Sequence, residues 1–238
     1  MIGRHSKPEN FCFKELCGSV SLWLTPIVND VAAIILAAGR SRRMGKFKPL
    51  LPFGDKTVIE CCVSNLRAAG VNEIVVVLGH NAEAVRRQLS SASVTFATNP
   101  DPDSSMSASI VLGIEALADT ARAVLITPAD HPAIYPEAIG RLMEKWRGGA
   151  QLIQPEFQGK GGHPVLIDLS YRGELKRLDP HAGLRGFFSK HRADVDRLPV
   201  DSPFVARDMD TWEDYCALHE DVFGRKPKEI ADLMGPNA

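Results

Sequence analysis

Residues 31–36 form a nearly unbroken apolar run that leads into a glycine turn at Gly39. A run without polar alternation is typical of a parallel strand that is covered on both faces. Similar runs begin at Ile74 and Ala123, and each is followed by a turn and then by residues with helical spacing. This alternation predicts βαβ units, and therefore a mostly parallel sheet with helices packed against it.

Helical spacing is clearest after the turn that ends at Thr57. Thr57 and Glu60 have the spacing of a capping box, and apolar residues recur at helical intervals from there to Gly70. Asn81 is the predicted N-cap of a second helix. The predicted helices that follow Gly70 cover 82–89, 107–117 and 135–146.

The order of elements changes after Gly149. Two short segments, 151–155 and 163–167, flank a glycine-rich turn at 159–162, and this arrangement predicts a β-hairpin. Two helical patterns, an extended strand and a final helix follow at 171–178, 184–191, 194–200 and 211–222. The predicted fold is therefore a single three-layer α/β/α domain whose mostly parallel, Rossmann-like sheet carries a β-hairpin insertion.

The length of the chain fits one domain of this kind. The 238 residues, 45% of them hydrophobic, can supply one sizeable core. We expect residues 1–30 to be an N-terminal extension of unknown role, residues 31–222 to be the folded domain, and residues 223–238 to be a polar C-terminal tail.

Charge and cysteine content exclude several classes of protein. A formal net charge of −1 argues against general nucleic-acid binding, which needs a broadly basic surface. No apolar run approaches the roughly 20 residues of a membrane helix, so we expect neither a membrane partner nor a signal peptide. Five cysteines without a CxxC pair indicate neither a zinc site nor a disulfide framework, which favours the reducing cytoplasm.

A cluster of positive charge follows the first predicted strand. No acidic residue occurs between Asp30 and Asp55, whereas five cations do: Arg40, Arg42, Arg43, Lys46 and Lys48. Because open α/β sheets bind ligands at the carboxyl ends of their strands, this turn is expected to bind a polyanion such as a nucleoside triphosphate. The alternative is an ordinary solvated basic loop, in which the cations would repel one another without compensation.

Two common phosphate-binding patterns are absent. The P-loop pattern is G-x-x-x-x-G-K-[ST], but five residues separate Gly39 from Gly45, and Phe47 stands where the hydroxyl residue should be. The dinucleotide fingerprint G-x-G-x-x-G is also missing. These absences argue against a P-loop kinase and against a dehydrogenase.

Residues 36–48 read LAAGRSRRMGKFK and resemble the signature LAAGxSxRMGxxK of the MobA/MocA-like nucleotidyltransferases, most closely the molybdenum cofactor cytidylyltransferases. The resemblance extends over roughly residues 31–217. Further similar segments occur in the same order at 105–109 (SMSAS), 127–132 (TPADHP), 162–164 (GHP), 183–185 (GLR) and 208–214 (DMDTWED). This resemblance implies the three-layer fold shared with nucleotide-diphospho-sugar transferases.

The resemblance also implies roles for the first turn. Backbone groups of four residues would hold the base and phosphates of CTP: Leu36, Ala37, Ala38 and Gly39. Arg43 and Lys48 would neutralise the triphosphate and the charge that develops as pyrophosphate leaves. Gly79, at the end of the next strand, could pass close to the base, or could be a plain turn glycine.

Carboxylates in this family would hold Mg2+, the expected cofactor. Asp130 is the leading ligand because it matches the family's Asp-x-Pro turn, although an aspartate here could also cap a turn. The second carboxylate would be Asp208 or Asp210, and the resemblance favours Asp210. Thr211 and Asp214 have capping spacing, so an aspartate before this helix could instead serve as its N-cap.

The implied reaction is attack by an acceptor phosphate, most simply that of molybdopterin, on the α-phosphorus of CTP. His163 and Arg185 match positions around the acceptor pocket, and Ser107 could contact nucleotide or acceptor or merely cap its helix. Three positions depart from the family pattern: Gly161 stands where arginine is common, Ser105 where glycine is common, and Trp212 where proline is common.

Two other functions stay open on the sequence. The chain could be a nucleotidyltransferase that uses GTP or ATP, or one that acts on a sugar phosphate or polyol phosphate. It could also be a non-catalytic module that binds nucleotide or cofactor. The presence of Arg43, Lys48 and Asp130 together favours catalysis. Oligomeric state and protein partners are not predicted.

Overall fold

The computed structural model describes residues 30–39, 44–101 and 103–227. Within this part the strands are β1 (Val31–Ala37), β2 (Pro52–Phe53), β3 (Lys56–Thr57), β4 (Glu73–Leu78), β5 (Thr95–Thr98), β6 (Ala123–Pro128), β7 (Leu152–Phe157), β8 (Lys160–Gly161), β9 (Val165–Asp168) and β10 (Val195–Pro199). The α-helices are α1 (Val58–Ala68), α2 (Ala82–Gln88), α3 (Met106–Glu115), α4 (Pro136–Arg147), α5 (Arg172–Leu175), α6 (Gly183–Lys190) and α7 (Trp212–Phe223). No helix in these described ranges is both long and apolar enough to cross a bilayer.

The central sheet is mixed and mostly parallel, as the sequence predicts. Its strand order is β10-β7-β9-β6-β1-β4-β5, and β8 pairs with β7. β1 lies between β4 and β6 and runs parallel to both. β9 is antiparallel to its neighbours β6 and β7, so its first residue lies at the edge where the parallel strands end.

Helices cover both faces of the sheet, which gives the predicted three layers. Alternate residues of β1 point to opposite faces, so Ile35 packs with α1, α2 and α4 while Ile34 packs with α3, α5 and α6. A third core cluster joins α7 to the β2–β3 hairpin through Phe53, Tyr215 and Leu218. This cluster holds the segment before α7 against the carboxyl edge of the sheet.

The predicted capping boxes are present. Thr57 caps α1 together with Glu60, and Thr211 caps α7 together with Asp214. The predicted hairpin is also confirmed, since β7 pairs antiparallel with β9. Its turn lies at residues 158–159, earlier than predicted, because Lys160 and Gly161 form the short strand β8 paired with β7.

One local prediction is wrong, one is met only in part, and one strand was not predicted. Asn81 is the N-cap residue of α2 as predicted, but its side chain makes no capping hydrogen bond, because the residue adopts a left-handed conformation with φ of 64°. The helix expected over 171–178 is only a 3-10 turn followed by the one-turn α5, and Gly173 inside it disfavours a longer helix. The edge strand β5 was not predicted, since its four residues are too few to show periodicity.

The predicted domain limits are only partly covered by the structure. Residues 1–29 of the expected extension and residues 228–238 of the expected tail lie outside the described residues.

Candidate active site

The turns after β1 and β6 lie side by side at the carboxyl edge of the sheet. Leu36 and Pro128 are register partners, and the backbone N–H of Ala129 donates to the carbonyl of Leu36 at 3.1 Å. Gly39 and Asp130 follow these strands directly. Gly39, where the basic turn begins, and the first predicted carboxylate therefore share one edge, as the pattern of strands predicts.

Gly79 packs against the turn after β1. A Cβ atom on Gly79 would lie 2.7 Å from the backbone oxygen of Ala38, which is closer than any ordinary contact. Only glycine therefore fits here without displacing Ala38. Packing against Ala38 therefore accounts for the glycine at position 79 without any contact with a base.

Lys48 lies between two carboxylates. It begins the 3-10 helix Lys48–Leu50, and the residue is only 9% exposed. Its Nζ lies 2.7 Å from Oδ1 of Asp210 and 3.4 Å from Oδ2 of Asp130. Three residues far apart in the sequence thus form one charged cluster.

Asp130 is held ionised by its neighbours. Burial acts to raise its pKa, but the hydrogen bond and charge of His131, together with the Lys48 ammonium, lower that pKa to about 2. The Nδ1 of His131 lies 2.9 Å from Oδ1 of Asp130. The carboxylate is therefore a ready ligand for a cation at neutral pH.

Asp208 and Asp210 differ in their surroundings. Asp208 is exposed and takes part in no hydrogen bond or ion pair with the described residues, whereas Asp210 contacts Lys48. Thr211, rather than Asp210, is the N-cap of α7. Of the two candidates, the structure brings only Asp210 to the charged cluster.

A small cavity of about 110 Å3 adjoins this cluster. Its walls are formed by the turns after β1 and β6 and by the start of the 3-10 helix: Ala37, Gly39, Lys48, Pro49, Pro128, Ala129 and Asp130. The predicted residues Leu36 and Ala38 flank this wall. Arg40, Arg42 and Arg43 lie outside the described residues.

The chemistry of this cluster suits a hard divalent cation. No group of three or more His, Cys, Asp or Glu side chains that could hold a metal occurs in the ranges the structure describes. Mg2+ is commonly bound through one or two carboxylates together with substrate phosphates, however, rather than by an all-protein cage. Asp130 and Asp210 already share one cation, the Lys48 ammonium, so their donors fit such a site.

A second and larger cleft, of about 940 Å3, contains the other predicted residues. Ser107, His163 and Arg185 all line it. Its floor is the sheet face of β9, β7 and β10, and its walls are the N-terminal turn of α3 and the cleft-facing side of α6. The structure therefore brings these three residues together at one cleft.

His163 connects the two cavities. Its ring meets the ring of His131 edge to face at 5.1 Å between centroids, and His131 in turn contacts Asp130. Burial, with a smaller contribution from the charge of His131, lowers the pKa of His163 to about 4. The ring is consequently neutral at pH 7, and its buried Nδ1 has no hydrogen-bond partner among the described residues.

Ser107 is buried and does not cap its helix. The N-cap of α3 is Ser105, whose Oγ accepts from the N–H of Ala108. The hydroxyl of Ser107 instead donates to the backbone oxygen of Asp179 at 2.9 Å. Ser107 therefore ties α3 to the loop before α6 and helps to shape the cleft.

Sequence reasoning missed four residues of the site: His131, which contacts Asp130, and Gln154, Arg192 and Arg197, which line the larger cleft. His131 could have been found, since it stands next to Asp130 in the TPADHP segment. Arg192 lies just after α6, in the 3-10 helix Arg192–Asp194, so the sequence did not place it in the same cleft as Arg185. Gln154 and Arg197 carried no signal, because only the pairing of β7 with β10 brings them together.

Comparison with known proteins identifies similar chains. The profile of the MobA-like NTP transferase domain matches residues 33–195. A nicotine blue oxidoreductase from Paenarthrobacter nicotinovorans is 30% identical over 197 residues, which cover 79% of this chain and 96% of that protein.

Solved structures are similar over most of their length. Rv0371c from Mycobacterium tuberculosis H37Rv has a TM-score of 0.73 and 28% identity, covering 81% of this chain and 99% of that one. A complex of Rv0371c with manganese has a TM-score of 0.69 and 27% identity, covering 80% and 98%. A nucleotidyl transferase from Methanothermobacter thermautotroptrophicus has a TM-score of 0.71 and 25% identity, covering 81% and 97%.

Proposed function

Because the chain belongs to the MobA-like NTP transferase family, we propose that it transfers a cytidylyl group from CTP to a phosphorylated acceptor and releases pyrophosphate. The proposed acceptor is a molybdopterin-type molecule. One observation carries the proposal: the Lys48 ammonium lies between the carboxylates of Asp130 and Asp210 at the end of β1.

The charged cluster is suited to the triphosphate. Asp130 and Asp210 would hold the divalent cation, Mg2+ in the cell, and Lys48 would contact the phosphates as a point charge. When bound, the cation neutralises phosphate charge and so permits attack at phosphorus. The manganese complex of Rv0371c supports a divalent metal in the family. Arg43 is proposed to assist from the basic turn.

The turn after β1 is suited to close approach of the nucleotide. Leu36, Ala37, Ala38 and Gly39 present backbone groups with little side-chain bulk, and Gly79 packs behind Ala38. The second alanine of this turn resembles cytidylyl enzymes and supports CTP over GTP. Charge and position, rather than a nucleophile and base, would therefore drive the reaction.

The acceptor is proposed to enter through the larger cleft. His163 and Arg185 line that cleft, and His163 lies one ring contact away from the Asp130 partner His131. A neutral His163 can form a hydrogen bond to the acceptor without adding charge beside the cation. Ser107 supports the wall on the opposite side.

Pyrophosphate release tests the proposal directly. The purified protein is incubated with Mg2+ or Mn2+, with CTP, GTP or ATP in turn, and with molybdopterin, a sugar phosphate or a polyol phosphate. We expect pyrophosphate only with CTP, the metal and molybdopterin together. Release of pyrophosphate with another nucleotide or another acceptor would show that the proposed substrates are wrong. Nucleotide binding without any release of pyrophosphate would support a non-catalytic module.

A redox function is a second candidate. The similarity to nicotine blue oxidoreductase, which extends over 96% of that protein, is the observation that favours it. The test is reduction of nicotine blue by the protein, with NADH or NADPH supplied as the reductant. Reduction of nicotine blue without pyrophosphate release from any nucleotide would favour this candidate over nucleotidyl transfer.

A further inference from the structure

We propose that the acceptor carries a second anionic group besides its reactive phosphate, and that Arg192 and Arg197 bind this group at the far end of the larger cleft. The proposal rests on nucleotidyl transfer as the function of the site. It concerns the chemical class of the acceptor, and it assigns two residues that the sequence motifs do not contain.

The floor of the cleft places Arg197 opposite the helices. Arg197 and Gln154 are register partners in β10 and β7, and both line the cleft together with Val165 of β9. Side chains two residues apart on a strand share a face, so Val195 points the same way as Arg197. The arginine therefore rises from the sheet face into the cavity.

One side of α6 forms the facing wall. Arg185, Phe188 and Ser189 of α6 line the cleft, and Arg192, which begins the 3-10 helix just after α6, lines it as well. Arg185 and Arg192 are exposed and make no hydrogen bond or ion pair with the described residues. Two guanidinium groups on this wall are thus available to a ligand.

The charge of the cleft is one-sided. Its lining residues include three arginines and no aspartate or glutamate. Glu156 partly neutralises the charge of Arg197, because its Oε2 lies 3.0 Å from Nη1 of that arginine. The arginine side chain is still 57% exposed. Asp179, beside the cleft, accepts hydrogen bonds from the backbone N–H groups of His181 and Ala182. An anion would relieve the repulsion among the arginines.

The strand order separates these arginines from the charged cluster. Asp130 follows β6, whereas Arg197 lies on β10, three strands away. Neighbouring strands are about 4.8 Å apart, so the two backbones are roughly 14 Å apart across the sheet. A phosphate that reacts beside Asp130 cannot also contact the far arginines. A different group of the same acceptor molecule would therefore bind them.

The cleft also has apolar walls. Ile110, Val165 and Phe188 line it together with His163 and the three arginines. An elongated organic molecule with a phosphate at one end, an apolar or ring-shaped body and a second anionic group at the other end matches these surfaces.

Hexanediol bisphosphate and hexyl phosphate test the proposal, because they differ only in the second anion. Each is titrated calorimetrically into the full chain with Mg2+ present and the nucleotide site filled by α,β-methylene CTP. We expect the bisphosphate to bind at least tenfold more tightly, and we expect this advantage to shrink as salt concentration rises. Equal affinity of the two probes would overturn the proposal.

The double variant Arg192→Gln/Arg197→Gln should lose the advantage and bind both probes alike. The matched control is Arg87→Gln, since Arg87 is exposed on α2, which packs on the opposite face of the sheet. A bisphosphate advantage that persists in the double variant would reject these arginines as its source. The salt dependence on the wild-type chain gives an independent answer if the double variant is unstable.

Failure of this inference is distinguishable from failure of the proposed function. The two probes are also titrated without nucleotide, which reports the cleft alone. Absence of CTP binding and of pyrophosphate release would refute cytidylyl transfer, whereas equal affinity of the two probes would refute only the second anion.

Discussion

Replacing Asp130 by asparagine removes a charge from the centre of the candidate site and preserves the size of the side chain. The carboxylate contacts His131 at 2.9 Å and Lys48 at 3.4 Å, and its side chain is 23% exposed. We expect Asp130→Asn to destabilise the fold and to abolish turnover, because the same charge that would hold the metal also balances its neighbours.

The size of the effect follows from the pKa of Asp130. Burial opposes ionisation, but His131 and Lys48 lower the pKa from 3.8 to about 2. A carboxyl group whose pKa is lower in the folded state stabilises the fold. This stabilisation is fully present at pH values above the pKa of the unfolded state and is lost as the pH falls through the pKa of the folded state. The difference corresponds to roughly 2.5 kcal/mol, which we reduce to about 2 kcal/mol for partial solvent screening.

Urea denaturation followed by tryptophan fluorescence measures this contribution. At pH 7 the free energy of unfolding of the wild type should exceed that of Asp130→Asn by about 2 kcal/mol. This difference should change little down to pH 5 and fall to about half near pH 3. Glu115→Gln is the control, since Glu115 is exposed on α3 and makes no hydrogen bond or ion pair with the described residues. The reasoning would be refuted if the two proteins had the same free energy of unfolding at pH 7, or if the difference between them stayed constant down to pH 3.

Three further predictions concern the edge of the sheet and one helix. Lys48→Met should weaken CTP binding about tenfold and CMP binding much less, because the ammonium would act on the phosphate tail; calorimetric titration checks this, and equal losses would contradict it. Gly79→Ala should lower both the melting temperature and CTP affinity, because the new Cβ would meet the Ala38 oxygen at 2.7 Å; unchanged values would show that the turn adapts. Gly140→Ala should stabilise the protein by about 0.5–1 kcal/mol in urea denaturation, since nothing lies within 4 Å of its added Cβ inside α4, and a loss of stability would count against the packing described there.

The parts of the fold that could be predicted are those that carry a strong local pattern. β1, β4 and β6 are buried apolar runs, and the capping boxes at Thr57 and Thr211 mark helix starts. β5 could not be predicted, because an edge strand of four half-exposed residues has no distinctive period. The position of β9 between β6 and β7 is set by tertiary pairing, which no local pattern reports.

The candidate site also has a part that the sequence could predict and a part that it could not. Lys48, Asp130 and Asp210 belong to segments with recognisable spacing, so the sequence could nominate them. Their convergence required the sheet topology. The resemblance already favoured Asp210 over Asp208, and the ion pair with Lys48 supplies the geometric reason. The residues that β10 contributes to the larger cleft, Val195 and Arg197, could not be nominated at all.

Gly161 lies next to Gln154 in space. In the family that the sequence resembles, an arginine commonly precedes Gly-His-Pro, and Gly161 removes that cation. A Cβ on Gly161 would lie 2.7 Å from the amide group of Gln154, and this flexible end of the side chain would have to move to admit a larger residue. Gln154 is the register partner of Arg197, whose guanidinium lines the larger cleft. With glycine at position 161, the described lining of the cleft has a cation from β10 and none from β8, which supports the proposal that a second anion of the acceptor binds near β10.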